Sequence, residues 1–297
     1  MTLPDNIPVS RLAPTPSGYL HLGNVANFLL TWLMVRRRNG KLLLRIDDLD
    51  SDRVRTEYLE DIFETLDWLG IDYDIGPSGV EDFKQHYSQQ HRLPLYMEWL
   101  DKLSQKGALY ACTCTRKMVR DRYPNGCYQG FCKTKNLTLQ YAGAVWRLDC
   151  ASAPAYHFPI LNDGQKTINL LQTMGDPVLR KADCKPAYQI ASISDDITMG
   201  INLVVRGEDL LPGTACQVFI HETIFGQAPS IQWIHHPLAT HDNGEKLSKS
   251  AGATSIHYLR RNGVKPAEVL NQCTKLFNWK AVPKAALAKD LLDSVEI

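Results

Sequence analysis

Apolar and polar positions follow two rhythms along this chain. Residues 9–13 are apolar enough for a short buried strand, and Pro14, Pro16 and Gly18 then force an irregular turn. Residues 22–35 are apolar with few breakers, which predicts a helix. Further strand-like runs stand at residues 41–46, 201–205 and 230–235, and helical runs at 58–69, 93–106 and 218–224. Strands alternating with helices predict an α/β protein built on a parallel sheet with crossover helices. Residues 107–185 break the rhythm. They are cysteine-rich, then short and strand-like, and read as an insertion; beyond Lys246 the pattern is helical to the end.

Two segments about 225 residues apart carry the candidate chemistry. The helix predicted from residue 22 begins beside His21, and a helix N-terminus offers unpaired N–H groups and a positive dipole end to phosphate. His21 can donate a hydrogen bond to charge developing there, and Gly23 leaves room for a base or ribose to approach the backbone. The second segment runs from Lys246 to Ser250: Lys246 and Lys249 can clamp a polyphosphate, with Ser248 and Ser250 as hydroxyl donors. Gly244 and Gly252 flank it, which lets the loop move. Taken alone, each segment also reads blandly, the first as a core helix and the second as a solvated basic turn.

Composition narrows the setting. A chain of 297 residues buries one large core or two modest ones. The net charge of +1 does not advertise nucleic acid, and the basic clusters at Arg36–Arg38 and Arg260–Arg261 read as solvated helix ends or as RNA contacts. No apolar run is long enough to span a membrane, no secretory signal is visible, and the eight cysteines are unevenly spaced. The expected place is the cytoplasm, without a disulfide framework. Cys112, Cys114, Cys127 and Cys132 fall within 21 residues, a density that favours structural zinc.

His21-Leu-Gly-Asn24 and Lys246-Leu-Ser-Lys-Ser250 together resemble the HIGH and KMSKS motifs of class I aminoacyl-tRNA synthetases. The segments 11–18, 45–50, 188–196 and 204–211 resemble the glutamyl-tRNA synthetase group, and the likeness runs from about residue 8 to about residue 275. Only about 47 residues follow the lysine-serine loop, fewer than an anticodon-binding domain needs. That plan resembles the glutamyl-queuosine tRNA-Asp synthetases.

The resemblance implies a Rossmann-like parallel sheet with a zinc-containing insertion and a short helical C-terminal segment. The expected parts are a nucleotide-binding half (1–106), the insertion (107–185), a second Rossmann-like half (186–245) and the loop with C-terminal helices (246–297). It implies attack of L-glutamate on ATP with Mg2+, then transfer of the glutamyl group to the queuosine base of tRNA-Asp by a monomer. His21, Lys246 and Lys249 would be catalytic; Thr15, Gly23, Asn24, Ser248 and Lys249 would bind ATP. Arg11, Thr15, Asp47, Tyr188, Ser192 and Arg206 would bind glutamate.

Asp47 stands where the family has glutamate, and Ser192 where full glutamyl enzymes have asparagine. The carboxylates of Asp47, Asp48, Asp50 and Asp52 read equally as caps for a helix from about Val54, with Arg45 as a structural partner of one of them. The family pattern makes Tyr128 the fourth zinc ligand beside Cys112, Cys114 and Cys132, while the sulfur count offers Cys127. Open alternatives are a truncated or discriminating enzyme charging a tRNA 3′ end, an activating enzyme for another carrier, and a silent RNA-binding paralogue.

Overall fold

The structure, a computed structural model, describes residues 7–237, 255–277, 279, 286–292 and 294. The chain divides into two compact units: Met1–Gln90, Ile201–Glu208 and Ile234–Ile297 form one, His91–Gly200 and Asp209–Trp233 the other.

In the first unit, β1 (Val9–Leu12) and β2 (Lys41–Leu44) pair in parallel, with Val9 opposite Lys41 and Leu12 opposite Leu44. The crossover between them is α1 (Leu22–Arg36). Its residues from Phe28 to Val35 are all buried, so it is apolar on every side, as a covered crossover helix requires. A second pair joins β8 (Leu203–Gly207) to β9 (Gln232–His236). β1 is tied to β8 by the residue before it: the Asn202 N–H donates to the Val9 carbonyl, and Asn202 Oδ1 accepts the Val9 N–H at 2.7 Å. A side-chain amide thus replaces a ladder bond where the sheet expected from the sequence would be continuous. Also here are α2 (Thr56–Leu69), α3 (Val80–Asp82), α9 (Ile256–Arg261) and α10 (Pro266–Leu276), with α10 packed on α1. Gly70, at φ 69°, ends α2 in the left-handed conformation that favours glycine.

The second unit opens with α4 (Leu93–Gln105) and contains a three-stranded antiparallel sheet in the order β3 (Leu109–Cys112), β4 (Val145–Leu148), β7 (Val178–Arg180). The short α5 (Arg116–Arg122) follows β3. β5 (Ala155–Pro159) and β6 (Gln165–Asn169) form a hairpin, and α6 (Leu170–Thr173) follows it. α7 (Tyr188–Thr198) packs on α4 and on α8 (Leu211–Phe225). α8 begins seven residues before the run read from the sequence, because Pro212 and Gly213 look like breakers. Proline is tolerated in a first helical turn, where its missing N–H has no partner to lose. A β-carbon on Gly213 would lie 3.2 Å from Gln189 Nε2 of α7, so the glycine serves close helix approach. Asp195, fully buried on α7, takes both ends of the Arg92 guanidinium at 2.7 and 2.8 Å and the Tyr96 hydroxyl at 2.9 Å. Among the described residues no helix is long and apolar enough to cross a membrane.

Candidate active site and metal centre

The first turn of α1 is closed by a reciprocal cap. His21 is the N-cap; its Nδ1 accepts the Asn24 N–H at 3.2 Å, and Asn24 Oδ1 accepts the His21 N–H at 3.0 Å. This is a capping box built from histidine and asparagine in place of serine and glutamate. An accepting Nδ1 has no proton, so the neutral ring carries its hydrogen on Nε2 and presents a donor there. Gly23 has a reason the sequence reading missed: a β-carbon would lie 3.0 Å from His21 Cε1 and 3.1 Å from Nδ1. The imidazole borders the space left by the absent side chain at tight contact distance.

The turn after β1 runs beside the end of β2. The Arg45 N–H donates to the Leu12 carbonyl at 2.9 Å, and the Asp47 N–H to the Pro14 carbonyl at 2.8 Å. These contacts place Arg11, exposed Thr15, Arg45 and Asp47 around the carboxyl ends of parallel strands, where open α/β sheets bind ligands. Arg206, near the carboxyl end of β8, is buried like Arg11, at 3% and 5% exposure. Asp47 is bidentate with Arg45 at 2.7 and 3.1 Å. Asp48 accepts from the Ser88 hydroxyl and the Gln89 N–H. The sequence alternative in which these acids cap a helix from about Val54 is not what is seen. α2 starts at Thr56, and its N-cap, Arg55, makes no side-chain cap bond. Pairing of Arg45 with one of the acids is seen.

Lys246, Ser248, Lys249 and Ser250 lie outside the described residues. The residues on either side touch the start of α1. His236 Nε2 lies 3.2 Å from Asn27 Oδ1, Ser255 bridges His21, and the Ile256 N–H donates to the Leu20 carbonyl at 2.8 Å. Ser255 is the N-cap of α9, its Oγ accepting the Tyr258 N–H. α9 is then pinned to α2: Asp61, 2% exposed, holds His257 at 3.1 Å and Arg260 at 3.0 Å. Burial pushes the Asp61 carboxyl up, and Arg260 and His257 oppose that rise. Tyr19 stacks on His257 at 4.1 Å between ring centres. The sequence reading singled out neither Asp61 nor Ser255, although a serine before an apolar run is a helix-start signal.

Tyr188 and Ser192 belong to the second unit, one turn apart on α7; Tyr188 is 41% exposed and Ser192 is buried.

The second unit also holds the sulfur cluster. The Sγ atoms of Cys112, Cys114 and Cys132 lie within 4.8 Å of one another. The Tyr128 hydroxyl sits among them, 3.4 Å from Cys112 Sγ and 3.7 Å from Cys114 Sγ, and accepts the Cys132 N–H at 2.8 Å. Cys127 faces elsewhere, its Sγ directed to the Asn125 carbonyl at 3.7 Å. Of the two neighbours, Tyr128 faces the cluster and Cys127 does not. Burial pushes the Cys114 thiol up to about 11. It acts the same way on Cys132, but hydrogen bonds from the Tyr128 hydroxyl and the Thr113 N–H outweigh it and bring that thiol down to about 6. Burial, reinforced by the neighbouring sulfurs, raises the Tyr128 phenol, so it is a neutral donor in the metal-free protein.

Comparison with known proteins identifies the family. Residues 9–290 match the family described as tRNA synthetases class I (E and Q), catalytic domain. The chain is 37% identical over 273 residues to a glutamyl-Q tRNA(Asp) synthetase of Nitratidesulfovibrio vulgaris, covering 87% of this chain and 83% of that one. It is 32% identical over 296 residues to a glutamate–tRNA ligase of an Anaeromyxobacter species, covering 96% of this chain and 61% of that one. The crystal structure of a glutamate-tRNA synthetase from Elizabethkingia anophelis is similar with a TM-score of 0.79 at 25% identity, covering 98% of this chain and 66% of that one. The chain therefore belongs to the class I tRNA synthetases of the E and Q type, which it matches across their catalytic domain.

Proposed function

We propose that this protein activates L-glutamate with ATP and transfers the glutamyl group to the queuosine base of tRNA-Asp. One observation carries the acceptor. Relatives named glutamyl-Q tRNA(Asp) synthetase match at 37% and 36% identity along 83% and 78% of their own lengths. The family, the histidine cap at α1 and the buried arginines at the strand ends support the first half of the reaction.

In the first step a glutamate carboxylate oxygen bonds to the α-phosphorus of ATP, and the bond to the bridging oxygen of pyrophosphate breaks. Magnesium travels with the phosphates and shields their charge. The chain's task is positioning and charge stabilisation. His21 Nε2–H donates to the phosphate oxygens, Lys246 and Lys249 balance the departing pyrophosphate, and Thr15, Asn24 and Ser248 hold the nucleotide. Arg11 and Arg206 meet the substrate carboxylates, for which a planar guanidinium fork suits bidentate binding. Asp47 meets the ammonium group while shared with Arg45. In the second step a hydroxyl of the modified base attacks the activated carbonyl and AMP leaves.

Cys112, Cys114, Cys132 and Tyr128 would hold a structural zinc ion. Three sulfurs and a phenol oxygen converge, with no carboxylate or imidazole in the cluster among the described residues, and make a closed, thiophilic donor set. The ion's contribution is to order the segment around β3 and α5, and no step of the reaction passes through it.

The test is transfer of labelled glutamate, with ATP, to tRNA-Asp with and without queuosine. Label on the queuosine-containing tRNA alone is expected. Equal label on both, recovered at the terminal adenosine after nuclease digestion, would replace this reading with 3′-end charging. Absence of glutamate-dependent pyrophosphate exchange would leave only an RNA-binding paralogue.

A further inference from the structure

Positive charge is not spread evenly along the chain. Between residues 107 and 185 stand eleven lysines and arginines against five aspartates and glutamates, while the whole chain has a net charge of only +1. Within that region of the second unit lies a cavity of about 720 Å³. One face of α5 and the residue after it forms a wall: Arg116, Val119, Arg120 and Tyr123, spaced i, i+3, i+4 and i+7, all line it. Val145 of β4 and Lys181 line it as well. Arg116 and Arg120 are exposed and pair with no acid among the described residues. Tyr123 is half-buried and set edge-on to Tyr128 at 5.3 Å.

Apolar walls with an aromatic edge and mobile cations at the rim are what an unstacked nucleotide requires. The base lies against side-chain carbon while its phosphates are met by arginine. We propose that this cavity seats one unpaired nucleotide of the substrate RNA, with Arg116 and Arg120 on the flanking phosphates and Val119, Tyr123 and Val145 under the base. The occupant named here rests on the RNA acceptor of the proposed function. The local charge excess argues for a polyanion over a neutral ligand, and the size leaves room for a base with its ribose.

The test is binding of fluorescein-labelled tRNA-Asp, followed by anisotropy across a salt series, to the full chain and to Arg116→Ala/Arg120→Ala. The double variant should bind about ten-fold more weakly, with a log–log salt slope shallower by about 1.5, as expected for two lost phosphate contacts. The charge-matched control Lys41→Ala/Lys84→Ala, on exposed positions of the first unit, should leave both unchanged. Equal weakening in the two double variants would reduce the effect to overall charge and overturn the site, as would unchanged binding in the arginine variant. A second measurement uses the unaltered protein: 4-thiouridine-substituted tRNA should crosslink within residues 116–123, and crosslinks confined to other segments would also overturn it. Neither readout needs catalysis, so absent glutamate transfer would count against the proposed function and leave the cavity assignment to be decided on its own.

Discussion

The ring of His21 packs tightly against the place where a side chain on Gly23 would be. A β-carbon there would come within 3.0 Å of Cε1, closer than a relaxed contact. The glycine and the histidine are therefore one device: the empty position lets the imidazole turn its Nδ1 inward to cap α1 and its Nε2 outward. Gly23→Ala should displace the ring and lower glutamate-dependent pyrophosphate exchange by about ten-fold or more, at a stability cost of about 1 kcal/mol for the weakened cap. Exchange at the wild-type rate in that variant would separate the ring position from catalysis.

His21→Asn distinguishes cap from catalyst. Asparagine is a strong N-cap and keeps an oxygen for the Asn24 N–H, but it has nothing in place of Nε2–H. Thermal stability should stay within about 0.5 kcal/mol of wild type, while exchange falls about 10²- to 10³-fold, the cost of one lost donor to developing charge. A fall in melting temperature with preserved exchange would make the histidine structural only.

The sulfur geometry predicts a sharp split between neighbours. Cys112→Ser and Cys132→Ser should each abolish bound zinc, whereas Cys127→Ser should keep about one zinc per chain, because only the first two sulfurs lie in the cluster. Metal content by atomic emission after gel filtration decides it. Loss of zinc in Cys127→Ser would return the fourth position to cysteine.

Arg92→Ala should unfold the second unit readily. It leaves the carboxylate of Asp195, fully buried, with the Tyr96 hydroxyl but without the guanidinium that neutralises it. Breaking one side of such a pair costs about 3–5 kcal/mol. Urea denaturation followed by the fluorescence of Trp99, which lies on α4 in that unit, reports the change.

Acid stability is linked to Asp74. Burial acts to raise its carboxyl, but the Leu42 N–H and Arg36 outweigh it and hold the group below the usual carboxylate range. A depressed folded-state pKa means that the unfolded chain takes up the proton first as pH falls. The stabilisation is complete above about pH 4 and is lost as pH drops through the lower folded value. Asp74→Asn should therefore flatten the acid limb of stability below about pH 4. A thermal-melt series from about pH 6 to about pH 3 showing the same slope in both proteins would remove this linkage.

The sequence by itself determined the alternation of strands and helices, the turn after β1, the two signature segments and the sulfur-rich insertion. These are local: each depends on periodicity, on breakers or on residue types within a few positions of one another. Tertiary structure decided what depends on facing. It turned the Tyr128 hydroxyl toward the sulfurs of Cys112 and Cys114 and the Cys127 sulfur toward the Asn125 carbonyl, though the two residues are neighbours in the chain. It paired Asp47 with Arg45 and directed Asp48 to Ser88 and Gln89, though all of these acids share one composition and one stretch of chain. It gave Asp61 to His257 and Arg260 across about 196 residues, a contact no spacing rule contains. It also set Gly23 beneath an imidazole. A sequence records which groups exist, but the energy of a buried charge or a capped helix depends on which groups meet, and that is fixed only when the strands and helices pack.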